Sequence, residues 1–162
     1  MLANLNQICY KSDKEIKLLC EAFMREVRME YTEGLGKQAE VWVDGALLTV
    51  CDGISKPGKR TLPGKLSGVM FRYTTDESIS WDQAIEDNPG RHVSLKQVSG
   101  WRYQGLGIVE SVMPVVINFA GIRMEDPNWS TDENLIGKYV CVPIDRLEIV
   151  PRVKPDWPDE MK

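Results

Sequence analysis

The chain has 162 residues, 43% apolar and 27% charged, which excludes disordered, collagen-like and disulfide-stapled miniprotein classes. Its 20 basic and 24 acidic residues give a formal net charge of −4, so a protein that coats nucleic acid with uniform positive charge is also excluded. A local basic patch remains compatible with that balance.

The first fifteen residues, MLANLNQICYKSDKE, carry neither a basic start nor the apolar run of a signal peptide. The longest later apolar run, Val112–Ile117, is interrupted by Pro114, so the expectation is a cytoplasmic protein with no membrane partner. Cys9, Cys20, Cys51 and Cys141 are spaced too widely for a CxxC pair or a zinc knuckle. Cys20, Cys51 and Cys141 sit in apolar contexts and read as buried hydrophobes.

Ser12 and Glu15 form a capping box ahead of Ile16, Leu19, Cys20, Phe23 and Val27, which recur at helical spacing. These residues predict an amphipathic helix over about 13–32, closed by Gly34 and Gly36. A second apolar line, Leu18, Ala22 and Met29, widens the buried face, so that the helix either packs deep against a sheet or shares its far side with a partner or a second copy of the chain. The period then changes. AEVWV and ALLTV flank Asp44-Gly45 and predict a hairpin with positive φ at both turn residues.

ISKPGKRTLPGK follows, then a strand through Tyr73. Ser78 or Ser80 is expected to cap a short helix over Trp81–Asp87, ended by Asn88-Pro89-Gly90. From His92 onward HVSLKQV, WRYQG, GIVESV and VVINFAGI read as strands, separated by Ser99-Gly100, Gly105-Leu106-Gly107 and Pro114. MEDPNWSTDENLIG is a polar loop, KYVCVP and EIV are strands, and the proline-rich residues 151–162 form an extended tail. The expected architecture is a single α+β domain over 1–150, an N-terminal helix with a mostly antiparallel sheet. The ending KYVCVPIDRLEIV resembles the close of an SH3-like small barrel, in which a 3₁₀ turn joins the last two strands. That resemblance implies a module that binds peptides, nucleic acid or other subunits.

No catalytic, cofactor or metal motif stands out: GxxxxGK[ST] and GxGxxG are absent, and Gly58-Lys59-Arg60-Thr61 lacks the earlier glycine of a phosphate loop. His92 is the only histidine, so His-dependent chemistry with a cysteine or serine must pass through it. Asp126, Asp132 and Glu133 share a loop but lack the ligand alternation of a calcium site.

Two asymmetries remain. Residues 54–65 carry Lys56, Lys59, Arg60 and Lys65 without an acid, whereas 76–87 carry five acids and no base. The four cations suit phosphate neutralisation, or else make a solubilising loop tip. Trp101, Arg102, Tyr103 and Trp129, with Trp157 in the tail, form the candidate interaction set. In a strand Trp101 and Tyr103 share one face, where they suit base stacking, a protein contact or ordinary core packing. The first expectation is a non-catalytic adaptor that contacts proteins. The second is a nucleic-acid binder using the basic loop and the aromatic face, and the third an enzyme using His92 or a cysteine.

Overall fold

The computed structural model describes residues 23–151. Ten strands dominate: β1 Met24–Thr32, β2 Gln38–Val43, β3 Ala46–Asp52, β4 Gly64–Thr74, β5 Ser94–Ser99, β6 Arg102–Ser111, β7 Val116–Phe119, β8 Ile122–Glu125, β9 Tyr139–Ile144 and β10 Arg146–Pro151. Among the described residues the one helix seen from end to end is α1, Trp81–Glu86; Phe23 is also helical, and one 3₁₀ turn spans Glu133–Leu135.

The α+β expectation is therefore corrected to a mostly β protein. The helix expected over 13–32 is overturned from Met24 onward, because residues 24–32 are strand β1; Phe23 is helical, and residues 13–22 lie outside the described residues. The physical reason is a change of period. Glu26, Arg28 and Glu30 point outward while Val27 and Met29 are buried, a two-residue alternation that tertiary burial favours over a helical face. A register shift between Met29 and Tyr31 then exposes Tyr31 and buries Thr32. Met29 is thus barrel core.

β1, β2, β3, β10 and β4 close into a five-stranded barrel in that order, with β4 returning to pair β1. All its pairings are antiparallel except β10 on β3, which is parallel. Met29, Ala39, Val41, Val50, Leu147 and Ile149 fill it and are inaccessible to solvent. A small barrel was expected, and EIV does lie in its last strand. Its other four strands, however, come from residues 24–74, and KYVCVP lies outside the barrel, in the second sheet. No 3₁₀ turn joins the last two strands. Asp145 alone bends the chain, so β9 pairs β6 in the second sheet while β10 pairs β3 and β4. Pro151, assigned to the tail, ends β10 opposite Val69.

The Asp44-Gly45 hairpin has φ of 48° and 78° at its two turn residues, as the dipeptide predicts. Helix α1 begins at N-cap Ser80, whose side chain accepts from the Gln83 amide. Two details of the second sheet differ from expectation. VVINFAGI is not one strand: Ala120 and Gly121 both have positive φ and fold it into the β7–β8 hairpin. Gly105-Leu106-Gly107 is no break: both glycines sit within β6, where β7 crosses close. A Cβ at Gly107 would stand 2.7 Å from the Asn118 carbonyl oxygen, and one at Gly105 2.6 Å from the Phe119 ring. The second sheet meets the barrel through one shared hydrophobic cluster, in which the Tyr73 and Phe119 rings pack edge to face at 5.9 Å.

Because the Asn118 carbonyl belongs to backbone that is already paired, Gly107→Ala has no soft neighbour to displace. It is expected to lower the unfolding free energy by about 2–3 kcal/mol, read as a lower midpoint in urea denaturation. An unchanged midpoint would show that β7 is free to back away.

Candidate nucleic-acid interface

Four cations of the β3–β4 loop (residues 53–63) and the first residues of β4 are exposed: Lys56, Lys59, Arg60 and Lys65. Pro57-Gly58 forms a tight turn between Lys56 and Lys59, with Gly58 at φ 71° and the Lys59 amide donating 3.0 Å to the Lys56 carbonyl. Lys65 pairs with Glu26 at 3.3 Å, both side chains well exposed. Among the described residues Lys56, Lys59 and Arg60 have no ion-pair partner, and none pairs with the acidic stretch 76–87.

The loop is held from beneath by Asp52, at the end of β3. Its carboxylate is inaccessible to solvent and accepts from the Ile54 amide (2.7 Å), the Ser55 amide (2.8 Å), the Ser55 hydroxyl (2.6 Å) and the Thr32 hydroxyl. Burial opposes the charge, but the hydrogen bonds from Ser55, Thr32 and Ile54 outweigh it and hold the carboxyl below its usual range. Ser55 in turn accepts from the Thr61 amide at 2.9 Å, and Thr32 accepts from the Gly34 amide at 3.0 Å. One buried acid therefore ties the β1–β2 loop (residues 33–37) to the basic loop.

On its other side the β1–β2 loop borders a concavity of about 450 Å³, lined by Glu33, Lys37, Gln38, Gly100, Trp101 and Arg102 among others. Trp101 lies in the β5–β6 turn, half-buried, with its carbonyl accepting from the Leu147 amide of β10 at 2.9 Å. Arg102 is exposed and reaches Asp145 at 3.5 Å. Gly34, at φ 117°, lies against the aliphatic part of Arg60: a Cβ there would be 3.9 Å from Arg60 Cγ. Arg60 and the concavity at Trp101 and Arg102 thus both adjoin the β1–β2 loop that carries Lys37.

The expected aromatic face divides. Tyr103 is 4% exposed, and its hydroxyl accepts from the Thr49 amide at 2.9 Å, capping β3 upstream of its pairing with β10. It belongs to the core, not to a surface shared with Trp101. Trp129 is exposed in the loop after β8, and Trp157 lies outside the described residues. Lys37 and the glycines of the β1–β2 loop were missed, since read linearly they only end a helix. A signal did exist in the GxG spacing of Gly34 and Gly36, both at positive φ.

The remaining chemical candidates are placed as follows. His92 is exposed after α1, its backbone amide donating to Asn88 Oδ1 at 2.9 Å. Cys51 and Cys141 are buried and free; burial, then Glu148 for Cys51 and Asp87 for Cys141, pushes both thiols up and away from the thiolate. Cys9 and Cys20 lie outside the described residues. Asp126 is buried and accepts from the Tyr73 hydroxyl and the Asn128 amide, while Asp132 caps the 3₁₀ turn. Among the described residues no group of three or more histidine, cysteine or acidic side chains is arranged to hold a metal ion. No helix among them is long and apolar enough to cross a membrane. No protein-family model, curated protein or solved structure matches the chain.

Asp52→Asn keeps the shape of the side chain but removes its charge and puts an NH₂ group where an acceptor stood. It is expected to cost about 2 kcal/mol at neutral pH. Because the folded carboxyl titrates below its ordinary value near ~3.9, the stabilisation is present above that value and lost as pH falls through the folded pKa. The deficit of Asp52→Asn against the parent should therefore shrink in acid, as seen in chemical denaturation across a pH series.

Proposed function

We propose that the protein is a non-catalytic binding module whose ligand is single-stranded nucleic acid, held along the side of the barrel from Lys59 and Arg60, past Lys37, to Trp101 and Arg102. The observation that carries this reading is the position of the β1–β2 loop, which has Gly34 near the aliphatic part of Arg60 and shares a concavity with Trp101. Cations at one end suit phosphates, whose binding releases condensed counterions. A half-buried indole at the other suits a base, since every base offers a π-face.

The barrel adds support by analogy. Its order, first-second-third-fifth-fourth and back to the first, with one parallel pair between third and fifth, is that of the oligonucleotide- and oligosaccharide-binding small barrels. Those bind ligands over strands two and three, beside the loops after strands one and four. Here the first of these loops is residues 33–37, and the β5–β6 turn belongs to the long excursion between β4 and β10. A fold alone assigns no function, so the proposal rests on the residues.

A cytoplasmic adaptor that contacts proteins is the second reading. Its support is the exposure of Leu35 (45%) and Leu62 (80%) on the same two loops, because an apolar protein interface uses such side chains.

Fluorescence anisotropy with a labelled oligothymidylate over a salt series separates the two. The Lys59→Glu/Arg60→Glu variant is expected to weaken binding about tenfold or more and to reduce the salt slope by about 1.4, two single-strand phosphate contacts at ~0.7 each. Trp101→Ala is expected to lose about 1–3 kcal/mol with the slope unchanged. No measurable binding, or binding indifferent to salt and to both variants, rejects the nucleic-acid reading.

A further inference from the structure

Below the cations of the β3–β4 loop is a second concavity, of about 350 Å³, with Ile54, Leu62 and Leu66 as its apolar part and Lys56, Lys59 and Arg60 around it. It is distinct from the concavity at Trp101, and Leu62 stands 80% exposed over it. An apolar floor with a cationic rim fits an acidic segment that carries one large apolar side chain.

The sequence contains such a segment. Asp156-Trp157-Pro158-Asp159-Glu160 places three acids around an isolated tryptophan, with the bases of the tail, Arg152, Lys154 and Lys162, outside that run. The position of β10 brings it within reach. β10 runs antiparallel to β4, and Pro151 stands opposite Val69, three positions from Leu66. Among the described residues, β4 from Gly64 to Leu66 is paired with β1 on one edge, while the pairing with β10 on the other stops at Val69. Six extended residues span about 20 Å, and the three strand positions from Val69 to Leu66 about 10 Å. Trp157 therefore has chain to spare, in the direction in which β10 already points.

We propose that the occupant of this concavity is the chain's own segment 152–162, with Trp157 on Ile54, Leu62 and Leu66, and with Asp156, Asp159 and Glu160 against Lys56, Lys59 and Arg60. A segment so placed takes the same cations that the proposed nucleic-acid strip uses, and the competition part of the inference rests on that reading. Docking itself does not. Bound, the segment lowers the affinity for polyanions. A polyanion displaces it by taking over its cations, so the two occupants are coupled with opposite sign.

The test uses the full chain. Methyl resonances of Leu62 and Leu66 are compared in the parent, in Trp157→Ala, and in Asp156→Asn/Asp159→Asn/Glu160→Gln. Docking predicts that both methyls shift when the indole is removed, because its ring current is lost, and that the triple variant moves them in the same direction. Methyls unmoved by Trp157→Ala overturn the proposal. Shifts that grow with protein concentration also overturn it, since they give the segment to a neighbouring molecule. In the same samples, the triple variant should bind oligothymidylate several-fold more tightly at low salt, an advantage that salt abolishes. Equal affinity in parent and triple variant overturns the competition. Shifted methyls in a chain that binds no oligonucleotide uphold the docking and reject the nucleic-acid reading.

Discussion

The carboxylate of Asp52 is buried and satisfied by hydrogen bonds alone, two from amides and two from hydroxyls. A desolvated charge of this kind is costly unless every lone pair is met, so its donors are constrained as tightly as the acid itself. Those donors come from the β3–β4 loop and from Thr32 at the end of β1. The backbone of Asp52 extends the constraint: its amide donates to the Lys37 carbonyl at 2.8 Å, its carbonyl accepts from the Gly36 amide at 2.7 Å, and it stands opposite Ile149 in the parallel pairing with β10. The loop that carries the free cations, the loop that carries Lys37 and the strand that closes the barrel are thus registered on one residue. A proline- and glycine-punctuated loop would otherwise sample many conformations; anchoring it at Ser55 and Thr61 leaves only its tip to vary.

Where local chemistry decides the outcome, the sequence was readable. Asp44-Gly45 is a turn because few other residue pairs tolerate positive φ twice, and Ser80 caps α1 for reasons contained within four residues. Buried Cys51 and Cys141 follow from their apolar neighbours. Legibility ended where two periods overlap. Val27 and Met29 satisfy both a helical spacing and a strand alternation, and only the presence of β2 and β4 on either side of β1 chooses between them. Gly105 and Gly107 show a related ambiguity: a glycine without positive φ marks close approach, which linear reading cannot tell from a turn.

The candidate site was legible as composition and not as geometry. The four cations of 54–65 were plain, yet their relation to Trp101 depends on the β1–β2 loop, which linear reading had placed after a helix. Tyr103 shows the opposite case. It alternates correctly with Trp101, but the hairpin turn begins at Gly100, so Trp101 is not in a strand and the shared face does not exist. The small net charge of the whole chain is a sum over separate regions. The cations of the β3–β4 loop, without ion-pair partners among the described residues, lie on the barrel, while Glu77 and Asp87 border a different concavity, beside Arg102 and Asp145.

The barrel's closing strand follows an excursion of some seventy residues that builds an entire second sheet. β1 to β4 are complete early in the chain, but the gap between β3 and β4 waits for β10. During synthesis β1 to β4 therefore emerge with two edges still unpaired, and the residues of the second sheet have to be made before the strand that seals the barrel is available. Such remote pairing carries a loop-closure cost that is recovered only at the last step, which places this chain among the slower folders of its size. The Tyr103 hydroxyl on the Thr49 amide gains a further meaning in this light. It lets the second sheet shield part of the open β3 edge, the portion that β10 never reaches, from edge-to-edge association with other molecules.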